Sequence, residues 1–126
     1  MRATRVPWEA SDLERLWDEL ERLPDAHVTG NPAVVAYVKA RLPGERLGLF
    51  DEATGTVVLD ARLFGGWPGR QALRTWLARA IGESLFRAED SHGYGDATAL
   101  GRAYAEAAGG GPAVLLAFVA PREETP

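Results

Sequence analysis

Residues 46–64, RLGLFDEATGTVVLDARLF, followed after a glycine-rich break by LARAIGESLF at 77–86, decide how this chain folds. Leu47 and Leu49 alternate on one side of a first strand, and Val57, Leu59, Ala61 and Leu63 on one side of a second. Between them, residues 51–55 (DEATG) supply a turn whose glycine can adopt a positive φ. One face of this hairpin should therefore be buried. Residues 65–69, GGWPG, break the strand pattern, after which Leu73, Trp76, Leu77, Ala80, Ile81, Leu85 and Ala88 recur at helical spacing. A hairpin feeding an amphipathic helix predicts an α+β domain.

The flanks extend this outline. Ser11 followed by Glu14 reads as a capping box opening a helix, with Leu13, Leu16, Trp17, Leu20 and Leu23 forming one apolar stripe and Pro24 ending it. Trp17 and Trp76, on or beside helix stripes, read as core. Asn31-Pro32 is the expected N-cap and first-residue pair of a second helix running to Leu42. On the other side, Asp96 caps a helix through Leu100 and Tyr104 that stops at the three glycines 109–111. Residues 113–119 are continuously apolar, as in a strand covered on both faces. The expected architecture is one α+β domain over residues 1–126: two N-terminal helices, a β-hairpin, two helices, and a C-terminal strand joining a small, mainly antiparallel sheet. Residues 1–7 and 121–126 are expected to be flexible tails.

Composition excludes several functions. A chain of 126 residues, 46% hydrophobic, suits one core. Its formal net charge of -4 argues against a general nucleic-acid binder, and 13 of its 14 basic residues being arginine is attributed to genome composition. The longest apolar run is far below the roughly 20 residues that span a bilayer, so no membrane association and a cytoplasmic location are expected. With no cysteine there is neither a disulfide nor a thiolate nucleophile.

Residues 48–59, GLFDEATGTVVL, resemble the edge hairpin that precedes the active-site helix in small zincin-like domains, including lethal-factor-like peptidases and the peptidase domains of some phage-repressor and stress-response regulators. The resemblance covers about a third of the chain and implies a helix carrying His-Glu-x-x-His, with both imidazoles on one zinc and the glutamate polarising a bound water. Here the matching positions are Arg79, Ala80, Ile81, Gly82 and Glu83. An arginine cannot ligate zinc and an alanine cannot accept a proton. Zincin chemistry is thereby removed, no metal or cofactor is expected, and what the resemblance leaves is an edge strand able to bind an extended peptide.

The remaining polar residues offer weaker patterns. Arg79 and Glu83 are spaced as an i, i+4 ion pair and fall, with Phe86, on the side of the helix opposite Leu77, so all three are expected to be exposed. Glu83, Glu89, Asp90, His92 and Asp96 form the densest set of titratable groups, in which His92 could act as a general base beside carboxylates. Their spacing matches no known catalytic pattern, and Asp96 already has a cap to make. Trp67, between glycines and Pro68, reads as a structural anchor or a contact for a partner. The sequence thus favours a non-catalytic interaction or regulatory domain with a protein or peptide partner, using Trp67, Phe86 and Arg79. The alternatives are an enzyme built on His92, Glu83, Glu89 and Asp96, and a homo-oligomer that consumes the exposed aromatics.

Overall fold

A computed structural model of the chain describes residues 4–65, 70–86, 95–115 and 118. The expected α+β class holds. Strands β1 (Thr4–Arg5), β2 (Ala36–Arg41), β3 (Gly48–Asp51) and β4 (Thr56–Asp60) are joined by helices α1 (Ala10–Leu20), α2 (Arg70–Ser84) and α3 (Ala97–Ala108), with a last helical turn, α4, at Pro112–Leu115. Among the described residues the sheet order is β1–β2–β4–β3. It is mixed: the outer pairs are antiparallel, and β2 runs parallel to β4 at its centre.

The hairpin forms, but its second strand ends at Asp60, whose side chain caps a 3-10 turn at Ala61–Leu63 where the strand was expected to continue. Gly48 faces Leu59 and Phe50 faces Val57, and Gly55 closes the turn at φ 68° with its amide on the Asp51 carbonyl at 2.8 Å. Cross-strand partners share a face, so Gly48, Phe50, Val57 and Leu59 point toward α2, whereas Leu49, opposite Val58, points away. Leu47 and Leu49 are both buried, as expected, although Leu47 stands just before β3. Val57, Leu59, Leu63, Leu73, Leu77, Ile81, Leu100 and Tyr104 are at most 1% exposed and form the centre of the core.

Three elements differ from expectation. The segment expected as a second helix is β2. Asn31 does not cap a helix: its Oδ1 accepts the Ala33 amide at 3.0 Å in a tight turn, and the β-branched and aromatic residues that follow suit a half-buried strand. The expected C-terminal strand is helical at 112–115, where Pro112 takes the favoured first position of a helix; residues 116–117 and 119–120 lie outside the described residues. The strand that joins the hairpin is instead β2, parallel to β4, and the far edge of the sheet is held by β1, which pairs Thr4 with Arg41 and Arg5 with Ala40, residues expected in a flexible tail.

Helix α1 also sits differently. It begins at Ala10, with Glu9 as N-cap and the Asp12 carboxylate accepting the Glu9 amide at 3.0 Å, rather than at Ser11 and Glu14. Its inward side carries Asp12, Leu16 and Glu19, continued by Leu23, whereas Leu13 is 48% and Trp17 61% exposed. The helix is rolled away from its purely apolar stripe because two buried charges find partners: Asp12 pairs with Lys39 of β2, and Glu19 receives Arg74 of α2 through two bonds of 2.9 and 3.3 Å. Trp17 is therefore not core.

Helix α2 lies on the sheet and α3 packs on α2 at very close range. A β-carbon on Gly82 would stand 2.5 Å from the Tyr104 β-carbon and 2.9 Å from the Gly101 α-carbon; one on Gly101 would stand 2.6 Å from the Arg79 carbonyl oxygen. Covered by the sheet on one side and α3 on another, the end of α2 from Ala80 to Ser84 is buried continuously, as is Leu85 after it. Glu83 lies inside that stretch.

Candidate functional site at the hairpin edge

Strand β3 is an edge strand, so the outward-facing groups of its backbone need partners from outside the sheet. Leu47 and Asp51 direct their carbonyls to the β4 side, where they accept the amides of Asp60 and Gly55 at 2.8 Å. Phe50 directs its amide outward. Glu83 meets it: Oε1 accepts the Phe50 amide at 3.0 Å, while Oε2 lies 2.8 Å from Arg46 Nη2, and Arg46 Nε donates to the Gly48 carbonyl at 3.2 Å. A carboxylate and a guanidinium thus occupy positions that a neighbouring strand would otherwise fill. Glu83 is 6% exposed, which overturns the expectation that it faces solvent. Burial pushes its carboxyl above the usual carboxylate range, against the opposing pull of the Phe50 amide, Arg46 and Arg79.

One turn earlier, Arg79 does not form the expected ion pair with Glu83. Its guanidinium lies over the Trp76 ring, 4.2 Å from the centroid, and none of its donors has a hydrogen-bond acceptor among the described residues; its Nε is buried. Burial depresses its basicity, the proximity of Arg102 and Arg46 depresses it further, and Glu83 only partly compensates. Arg79 thus feels two other guanidinium groups, Arg46 and Arg102, and one carboxylate, Glu83, whose ion pair is with Arg46. Stacking on an indole contributes about 0.5–2 kcal/mol, but an unsatisfied buried donor costs about 1–3 kcal/mol.

The other sequence candidates are scattered. Asp96 is exposed and caps α3 through the Ala99 amide at 2.8 Å, and among the described residues no contact joins it to Glu83. Phe86 is half-buried against the core rather than exposed. Trp67, Glu89, Asp90 and His92 lie outside the described residues. Among the described residues no three His, Asp or Glu side chains converge as a metal site would require, and no helix is long and apolar enough to cross a membrane.

His27 is 1% exposed and sits in a buried polar network that spacing could not reveal. Its Nε2 lies 2.7 Å from the Phe118 carbonyl, which can only accept, so that nitrogen carries the proton; Nδ1 then accepts from the Tyr104 hydroxyl at 2.7 Å. Asn31 Nδ2 donates to the His27 carbonyl at 3.0 Å and to Ser84 Oγ at 2.9 Å, which ties the network to α2. Burial holds His27 below the usual imidazole value of 6.5, against the pull of the Phe118 carbonyl. The folded state therefore binds fewer protons than the unfolded state as the pH falls below 6.5, and stability should decline between pH 7 and 5. Glu83, with a raised folded value, acts in the opposite sense at lower pH. The isolating measurement is the thermal midpoint of wild type and His27→Gln across that range: the wild-type decline should be steeper, and parallel curves would refute the assignment.

Compared with protein-family profiles, curated proteins and solved structures, the chain matches none.

Proposed function

We propose that the protein is a non-catalytic interaction domain that binds an acidic peptide segment of a protein partner at the hairpin edge, with Arg79 and Arg102 holding a carboxylate and Arg46 at the margin. The observation that carries this reading is the Arg79 guanidinium, stacked on Trp76 and without an acceptor among the described residues. A carboxylate is the complement such a fork accepts, through paired charge-assisted bonds. That the scaffold is a degenerate zincin is a further part of the proposal and rests on the resemblance of the hairpin sequence alone, with Arg79 and Ala80 standing where that family carries a histidine and a glutamate. The enzymatic alternative has less support, because both oxygens of Glu83 are committed, to Phe50 and Arg46.

Calorimetric titration tests the proposal, with an acetylated, amidated triglutamate peptide as probe and the triglutamine peptide as control. The expected result is saturable binding of triglutamate alone, weakened by salt and reduced roughly tenfold in Arg79→Gln and in Arg102→Gln, as loss of one charge-assisted contact implies. Equal affinity for the two peptides, or undiminished binding in both variants, would refute it.

A further inference from the structure

A second concavity lies apart from the hairpin edge and has the opposite electrostatic character. Trp17 and Leu20 of α1, Val28 of the following loop, and Val34 and Tyr37 at the start of β2 line a cleft of about 320 Å³. Glu21 and Asp25 stand in the same lining, are exposed, and take part in no ion pair among the described residues. The neighbouring carboxylate Glu19 is different, because it turns inward to Arg74. Trp17 is 61% exposed even though α1 could have buried it by a modest roll, since the buried pairs of Asp12 and Glu19 hold the helix where it is. The Tyr37 hydroxyl is pushed up to about 12 by burial, so that wall is uncharged at neutral pH.

Aromatic faces attract a cation through their quadrupole, apolar walls accommodate an alkyl stem, and carboxylates at the same cleft supply the counter-charge. A bare apolar ligand would gain nothing from Glu21 and Asp25, and an anion would be repelled by them. We propose that this cleft is a recognition site for an alkylammonium group, namely a lysine side chain presented by a partner protein. The inference is independent of the arginine cluster at the hairpin edge, because none of its residues belongs to that site.

Nuclear magnetic resonance titration tests it, following the Trp17 indole N–H and the Val28 and Val34 methyl groups. The probes are n-butylammonium and the peptide acetyl-Gly-Lys-Gly-amide, and the controls are n-butanol and the norleucine peptide. Both cationic probes should produce saturable shifts at these groups, weakened by salt, with the neutral isosteres binding roughly tenfold more weakly or not at all. Trp17→Ala and the double variant Glu21→Gln/Asp25→Asn should each lower the affinity for the lysine peptide by a similar factor; all three residues are exposed, and unchanged amide spectra elsewhere verify the fold. Equal shifts with lysine and norleucine peptides would reduce the cleft to a plain apolar hollow and overturn the proposal. So would the absence of any saturable shift at Trp17 in the wild-type protein.

Discussion

Lys39→Met should be among the most destabilising single substitutions in this chain, lowering the unfolding free energy by about 3–5 kcal/mol. Lys39 and Asp12 are 6% and 5% exposed, and the lysine ammonium meets Asp12, the Pro7 carbonyl at 3.3 Å and, at 5.8 Å, the Phe64 ring. Burial works against the Asp12 carboxylate, yet Lys39 and the Glu9 amide together hold its pKa below the ordinary aspartate value. Removing the ammonium leaves a buried carboxylate with its strongest partner gone. Methionine keeps the chain length and apolar contacts, so most of the loss is electrostatic. Urea unfolding should show the single variant falling by this amount and the double variant Asp12→Ala/Lys39→Met regaining much of it, because no orphaned charge remains. A double variant no more stable than Lys39→Met would show that the pair is not coupled.

The second large effect is expected at the crossing of α2 and α3. Gly82→Ala gains nearly 1 kcal/mol of helix propensity. Against this, its methyl group would stand 2.5 Å from a β-carbon and 2.9 Å from an α-carbon, neither of which can swing aside as a flexible side-chain end could. Overpacking costs about 1–3 kcal/mol, and more where backbone must move, so the net should be a loss of about 2 kcal/mol and a fall in thermal midpoint of several degrees. Gly109→Ala supplies the contrast: its φ is -63°, a β-carbon would meet only the Glu106 carbonyl at 3.5 Å, and its stability should be unchanged or slightly raised. If both substitutions behave alike, the close helix crossing is not what the glycine serves.

How much of this was legible in the sequence differs element by element. The hairpin and α2 were readable because alternation, a DEATG turn and a 3.6-residue repeat are local signals that tertiary packing here reinforces. For β2 the local signal points the wrong way, because Asn31-Pro32 also opens helices; what decides the matter is the parallel place beside β4, a contact between residues about 20 apart in the chain that leaves no local mark. The roll of α1 was hidden for a related reason. Asp12 and Glu19 look like solvent-facing residues until Lys39 and Arg74, far along the chain, are brought to them. Once they are, Trp17 is turned outward. Glu83 was misplaced because the spacing identifies one buried stripe, whereas α2 is covered by both the sheet and α3. Arg79 and Ala80 cannot perform the zincin steps, and this is read from residue chemistry alone. That chemistry could not show that the same Arg79 would stack on Trp76 with no acceptor among the described residues.

Gly82 and Glu83 also connect stability to the site. The close approach at Gly82 and Gly101 brings Arg102 of α3 near Arg79 of α2, and burial of Glu83 locks the outer edge of β3. The proposed binding surface would be preorganised in part, because the Arg79 guanidinium rests on Trp76 and Glu83 is held by Phe50 and Arg46. The most direct test of that account is the resonance of the Arg79 Nε–H, followed by nuclear magnetic resonance during titration with the triglutamate peptide. Arg62 serves as the internal reference, since its guanidinium is already bound to Asp60. The expected result is a saturable shift of the Arg79 signal with the Arg62 signal unmoved. An Arg79 signal that stays in place while the peptide saturates the protein, or no binding at all, would contradict the central claim.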